Sequence, residues 1–393
     1  MAGFHGMNDS RTIWVLPGGR FQVPLIEAAR ERGLRVVCSD RNADCEGAGV
    51  ADEFVRLGVD EREALLSALR VRRPDAVATD QTDSGVATVA WLAEQLGLPG
   101  IGVECATVFT NKRRMREVMG GPEFAVCNSL KDAEELGWPL VLKPEVGQSS
   151  RGVHRVDGAG DFAAAFDDAG AHGQVLAERW MDGPEFTVEG WMNDGRHHSL
   201  AISIKSHYAH RPTVANTLVY TPAHAEFDYE ALRKQNDRLV ERSGLPFGLT
   251  HAEYRFADGK FWLMEIAARG CGSLVASHIV PEVSGVDIYG HYLGAVLGEA
   301  RTDVQSMEKP KCAVLEFLDF KPGRVCSIDG LQELLGMEKI LSAKMNYGPG
   351  EVIPKPVDDT SRAGYFIAVT DTAEELEALR ARARDCLKVF YDE

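Results

Sequence analysis

Apolar and polar positions follow two periods along the first hundred residues. Ile13 to Leu16 is a short apolar run that stops at Pro17-Gly18-Gly19. From Phe21 to Arg32 apolar residues recur at helical spacing (Val23, Leu25, Ile26, Ala29), and Gly33 closes the stretch. A second run, Arg35 to Ser39, ends at Asp40, and helical stretches at Glu61–Arg72 and Thr82–Leu96 flank a third run, Ala76–Thr79. Strands alternating with helices of this length predict a parallel sheet covered on both faces, so residues 1–110 are expected to be Rossmann-like. A dinucleotide site is a weaker reading. After Gly18-Gly19 no third glycine completes G-x-G-x-x-G, and a tight strand-to-helix turn accounts for the pair.

From Thr110 the texture changes. Trp138 to Lys143 and Gln174 to Ala177 read as strands, and Asp182-Gly183-Pro184 is a turn before another strand, Glu185 to Met192. Gly285 to Gly298 has the spacing of a packing helix, and Thr372 to Tyr391 that of an amphipathic one with Leu376, Leu379, Ala383 and Leu387 on one face. Polarity rises between Asp303 and Lys311, which places domain boundaries at 1–110, 111–305 and 306–393. The fold class expected is α/β and α+β.

The most informative stretch runs from His251 to Ser273. Two runs rich in aromatic and aliphatic residues flank Asp258-Gly259, the strongest short-range hairpin signal. Each predicted strand carries one carboxylate, Glu253 and Glu265. A two-residue turn puts Glu253 opposite Met264 and sends the acids to opposite faces. A three-residue connection, Asp258 to Lys260, or an equivalent bulge, puts Glu253 opposite Glu265. Like charges directly across a ladder repel, so that register makes sense chiefly with a cation between them. Taken alone, the pair reads equally as two solvated acids.

Composition narrows the function classes. The 393 residues carry a formal charge of −16, which argues against a general nucleic-acid or membrane-surface role. Apolar residues make up 45% and charged ones 26%, as in ordinary globular proteins. The start lacks the basic head and apolar core of a signal peptide, and the expected location is cytoplasmic. Eight cysteines without regular spacing suggest neither a zinc site nor a disulfide framework, and Cys271 reads as a small buried filler.

Any anionic ligand must then be met by local cations. Asn111 to Arg116 is a compact basic run, which alone reads as a solvated helix face. Lys143 ends a strand and leads into Glu145 to Val153, a loop of small and hydroxylated residues whose backbone N–H groups can approach phosphate. Glu178 and Glu185 bracket the turn at Asp182-Gly183-Pro184, where acids can accept from an adenine amino group and a ribose hydroxyl. Between Ile202 and Thr213, Lys205, His207, His210 and Arg211 collect cationic groups that could hold a substrate carboxylate; a polar surface loop is the plainer reading.

Phosphate loop, acid-marked turn and paired acids in this order resemble the ATP-grasp superfamily. Glu178-Arg-Trp-Met-Asp-Gly-Pro-Glu-Phe-Thr-Val is similar to the hinge of D-alanine–D-alanine ligases. Lys321-Pro-Gly-Arg-Val, Gly348-Pro-Gly-Glu-Val-Ile-Pro and Ser361-Arg-Ala-Gly-Tyr-Phe-Ile-Ala-Val look like the L-amino-acid ligase and carboxylate–amine ligase branch. The resemblance implies a Rossmann-like N-terminal domain, two α+β lobes clasping ATP, and a small C-terminal α+β domain. It implies Lys112 and Lys143 on the nucleotide phosphates, with Ser149 and Ser150 in a closing loop. Glu178 and the backbone of Arg179 to Met181 would hold adenine, and Glu185 the ribose. Glu253 and Glu265 would hold Mg²⁺, with Mn²⁺ as an alternative ion, and Arg269 would meet the transferred phosphoryl group. Many members carry Asn two residues after the second metal glutamate, whereas this chain has Ala267, leaving open one metal or two. The implied activity is ADP-forming carboxylate–amine ligation through an acyl phosphate, on small carboxylate and amine substrates, with a homodimer compatible. Alternatives are a purine-biosynthetic or bicarbonate-activating carboxylase, or a non-catalytic ATP-binding protein.

Overall fold

The computed structural model describes residues 11–147, 151–300 and 304–392. Among these residues the strands form four sheets. The first is parallel: β1 (Thr12–Val15), β2 (Arg35–Ser39), β3 (Glu53–Val55) and β4 (Ala76–Ala78), in the order β3-β2-β1-β4. Its runs are continuously apolar because both faces are covered: Trp14, Val37 and Val77 pack on the side of Leu65, Leu69 and Leu92, while Ile13, Val36 and Ala76 pack on the side of Leu25, Ile26 and Leu293. The glycine turn after β1 is closed from within. The Gly18 N–H donates to Asp40 at 2.9 Å, and a Cβ on Gly18 would lie 2.4 Å from Cys38 Sγ.

The second sheet is antiparallel, β5 (Phe124–Cys127), β6 (Leu140–Pro144), β7 (His154–Val156) and β8 (Val175–Arg179), ordered β5-β8-β6-β7 and backed by helices Leu130–Leu136 and Ala159–Gly170. The third carries most of the molecule. It comprises β9 (Glu185–Asn193), β10 (Arg196–Tyr208), β11 (Arg211–Tyr220), β12 (Phe247–Ala257), β13 (Lys260–Ala267), β14 (Cys312–Phe317) and, from the strands β15 (Gly323–Asp329), β16 (Ile340–Met345), β17 (Val352–Ile353), β18 (Gly364–Thr370) and β19 (Lys388–Tyr391), β16 and β18. Its order is β13-β12-β9-β10-β11-β14-β18-β16, so the sheet runs on past residue 305 into the C-terminal segment. β15, β17 and β19 form a small fourth sheet. No helix among the described residues is long and apolar enough to cross a membrane.

Several expectations change. The stretch 202–213 is not a loop but the end of β10, a tight turn and the start of β11. The tail helix stops at Cys386, and the chain leaves as β19, paired to β15; Leu387 is buried just beyond the helix end. The hairpin turn has two residues, not three: Ala257 pairs with Lys260, and Asp258 and Gly259 have φ of 53° and 74°, as a type I′ turn requires. The extra residue sits further up as a bulge at Met264, which still puts Glu253 opposite Glu265.

The turn before β9 rests against that hairpin. A Cβ on Gly183 (φ 136°) would lie 2.1 Å from the Phe256 carbonyl oxygen. Gly183→Ala is therefore expected to cost about 1–3 kcal/mol, read as a lower midpoint in chemical denaturation. An unchanged midpoint would mean that the turn can move off the hairpin freely.

Candidate active site

The floor of the central cleft is one face of the large sheet. Along β9 the side chains alternate, Phe186 and Val188 packing with Tyr229, Leu232 and Val240 of the helix beneath, and Glu185, Thr187 and Glu189 facing the other way. Register extends the polar face sideways. Glu185, Thr187 and Glu189 lie beside Arg255, Glu253 and His251 on β12, and Glu185 and Thr187 beside Lys205 and Ser203 on β10. Together with the parallel-sheet domain, the smaller antiparallel lobe and the C-terminal segment, this face bounds a cleft of about 790 Å³.

At one end lies a buried charge network. Helix Lys112–Met119, capped by the Asn111 side chain, turns Lys112, Met115, Arg116 and Met119 inward, so the basic run is not simply solvated. Glu178 sits 2.9 Å from Arg116 Nε and 2.8 Å from Lys143 Nζ. Burial alone would raise the Glu178 carboxyl, but Arg116 and Lys143 outweigh it and hold it below the ordinary range. Burial pushes the Lys143 ammonium down, with Glu178 opposing. Lys112 Nζ donates to the Gly147 carbonyl at 2.8 Å and lies 3.3 Å from Glu265. Arg179 and Trp180 spend their N–H groups on the Glu123 and Pro139 carbonyls, which leaves donation in that stretch to Met181. Ser149 and Ser150 lie outside the described residues.

In the middle, Lys205 Nζ bridges Glu185 and Glu253, 2.7 Å from each, and so stands at the carboxylates rather than with His210 and Arg211. Arg255 and His207 complete the shell of Glu185 at 2.8 and 3.3 Å. Burial would raise this carboxyl too, yet Lys205 and His207 push it down to about 2. His210 Nε2 instead lies 2.8 Å from the Pro356 carbonyl, and among the described residues that line the cavity neither His210 nor Arg211 is found. Arg269 makes two bonds, 2.9 and 3.1 Å, to Asp83 at the first turn of helix Asp83–Leu96. Arg20, Phe21, Phe317, Arg362 and Tyr365 also line the cleft; Arg362 and Tyr365 belong to the Ser361–Val369 motif, whereas the other three were not singled out as site residues in the sequence.

The donor set suits a hard divalent cation: two carboxylates face each other on adjacent strands at the cleft wall, with Lys112 and Lys205 carrying the nearest positive charge. Residues 136–278 match the model of the ATP-grasp domain, and residues 316–392 that of the L-amino acid ligase C-terminal domain 2. The structure of L-amino acid ligase from Bacillus licheniformis superposes with a TM-score of 0.86 at 25% identity, covering 98% of this chain and 99% of that one. The chain belongs to the ATP-grasp superfamily. Within it, this ATP-grasp protein is L-amino-acid-ligase-like. Protein y4rH of Sinorhizobium fredii is 25% identical over 324 residues, 78% of this chain and 66% of its own length. Formate-dependent phosphoribosylglycinamide formyltransferase of Synechococcus is 34% identical over 187 residues, 44% of this chain and 47% of its own. The matched region thus spans between about half and two thirds of these curated relatives.

Sequence reasoning missed Arg116, Asp83, Glu189 and His251 as parts of this site. A signal existed for Glu189: the polar positions 185, 187 and 189 repeat with the period of a strand. Asp83 and Arg116 had none, since only the fold brings them to Arg269 and Glu178.

Proposed function

We propose that this ATP-grasp protein is an ADP-forming ligase that joins a small carboxylic acid, most simply an amino acid, to an amine through an acyl phosphate. The observation that carries the reading is the convergence of Glu253 and Glu265 with Lys112, Lys143 and Arg269 in one cleft. The likeness to L-amino acid ligase over nearly the whole chain supports it.

In this reading Lys112 and Lys143 bind the nucleotide phosphates. Glu178 and Met181 face adenine, and Glu185 the ribose. Mg²⁺ held by Glu253 and Glu265 would neutralise charge on the phosphates. The substrate carboxylate oxygen attacks the γ-phosphorus and the bond to the β-phosphate oxygen breaks, releasing ADP. Arg269, kept at the cleft wall by Asp83, stabilises the charge on the transferred group. The amine nitrogen then attacks the acyl carbon, inorganic phosphate leaves, and the nitrogen loses a proton. Because an acyl phosphate hydrolyses, the cleft has to exclude water while it persists.

Incubation with ATP, Mg²⁺ and pooled acids and amines tests this. The expected result is ADP formation that depends on both pools, with a product whose mass is the sum of one acid and one amine minus water by mass spectrometry. The formyltransferase match favours a second reading, activation of formate or bicarbonate. ADP formation that needs one of those anions and no amino acid would select it, and no substrate-dependent ADP at all would leave a nucleotide-binding protein.

A further inference from the structure

Two cross-strand pairs of the hairpin, Glu253 with Glu265 and His251 with Ala267, face the cleft. Alanine at 267 brings no donor of its own and leaves room for the imidazole opposite. On its other side His251 lies beside Glu189 on β9, and Nδ1 is 2.9 and 3.1 Å from the two carboxylate oxygens. Tyr220 donates to the same carboxylate at 3.2 Å. This is the arrangement by which a carboxylate behind a ligating histidine sets its orientation and its tautomer. Nε2 is thereby aimed at Glu253, 3.5 Å from Oε1. Two donor atoms each about 2.1 Å from one ion stand roughly 3.0–3.5 Å apart, so His251 and Glu253 are spaced to share a cation.

We propose that His251 Nε2 is a third protein ligand to the divalent cation of Glu253 and Glu265, supplied from β12 where Ala267 supplies none from β13. A nitrogen ligand shifts the site from Mg²⁺ toward Mn²⁺, because imidazole suits first-row transition ions better than Mg²⁺. The inference rests on the metal role of the two glutamates in the proposed function. Cys271 Sγ lies within 4.8 Å of the donor atoms of Glu189 and His251 and would draw in a thiophilic ion, so Mn²⁺ is the suitable probe.

The test is pulsed electron paramagnetic resonance of Mn²⁺ with ADP on the full chain, prepared with ordinary and with ¹⁵N-labelled histidine. A nitrogen coupling that changes with the label, and disappears in His251→Gln while Mn²⁺ stays bound, is the expected result. Calorimetry should find Mn²⁺ binding weakened about tenfold in that variant and Mg²⁺ binding much less. Mn²⁺ bound without a label-dependent coupling overturns the proposal, and so does a coupling that persists in His251→Gln. Mn²⁺ binding that Glu265→Gln leaves unchanged overturns it differently, by removing the metal reading of the glutamates beneath it. The labelled wild-type chain gives the first of these answers even if a variant does not fold.

Discussion

Glu265→Gln should lower amine- and acid-dependent ADP formation by about a thousand-fold at saturating ATP and Mg²⁺, the loss typical of removing a preorganised stabiliser of phosphoryl charge. The substitution keeps shape and changes little else. Glu265 is partly exposed at the cleft wall, faces Glu253 and has Lys112 3.3 Å away. Glutamine retains one neutral oxygen but not the charge that would attract the proposed cation, so binding of Mg²⁺ with nucleotide should weaken in parallel. Stopped-time assays with product quantified by mass spectrometry would check the rate, and thermal denaturation would check the fold. Turnover within a few-fold of wild type would sink the assignment of Glu265.

Lys143→Ala is expected to lower kcat/KM for ATP at least about a hundred-fold, since in the proposed assignment it removes a buried charge beside the phosphates. It also strips one of the two cations from Glu178, leaving Arg116. In the proposed assignment adenine and phosphate recognition are linked through this single carboxylate, and both KM for ATP and kcat should suffer. The chain should still fold, because the Arg116–Glu178 contact at 2.9 Å remains to neutralise the carboxylate. Lys143→Arg should restore little, as a planar fork does not replace a compact ammonium in a packed site. Near-normal ligation by Lys143→Ala would remove the phosphate assignment.

Legibility in the sequence followed the range of the interactions. The parallel-sheet domain was readable because its strands are covered on both faces, which leaves unbroken apolar runs between helical periods. The stretch from Lys205 to Arg211 was misread as a loop for the converse reason. A strand whose outer face lines a polar cleft carries Lys205 and His207 where burial would favour apolar residues, and alternation weakens. The tail helix was read too long because Leu387 continues the apolar face, whereas pairing of β19 with β15 draws the last residues into a sheet.

The hairpin divides most clearly between the two sources of information. The sequence by itself determined that a turn lies at Asp258-Gly259 and that two acids flank it, because positive φ at two successive residues is a local demand met by Asp and Gly. Only the tertiary structure decided where the extra residue goes. The bulge falls at Met264, whose carbonyl accepts from Arg116 of a helix about 150 positions earlier in the chain. Such a partner has no trace in the neighbouring residues. It nevertheless sets the register that turns Glu265 toward Glu253, and with it the His251 and Glu189 that stand beside them.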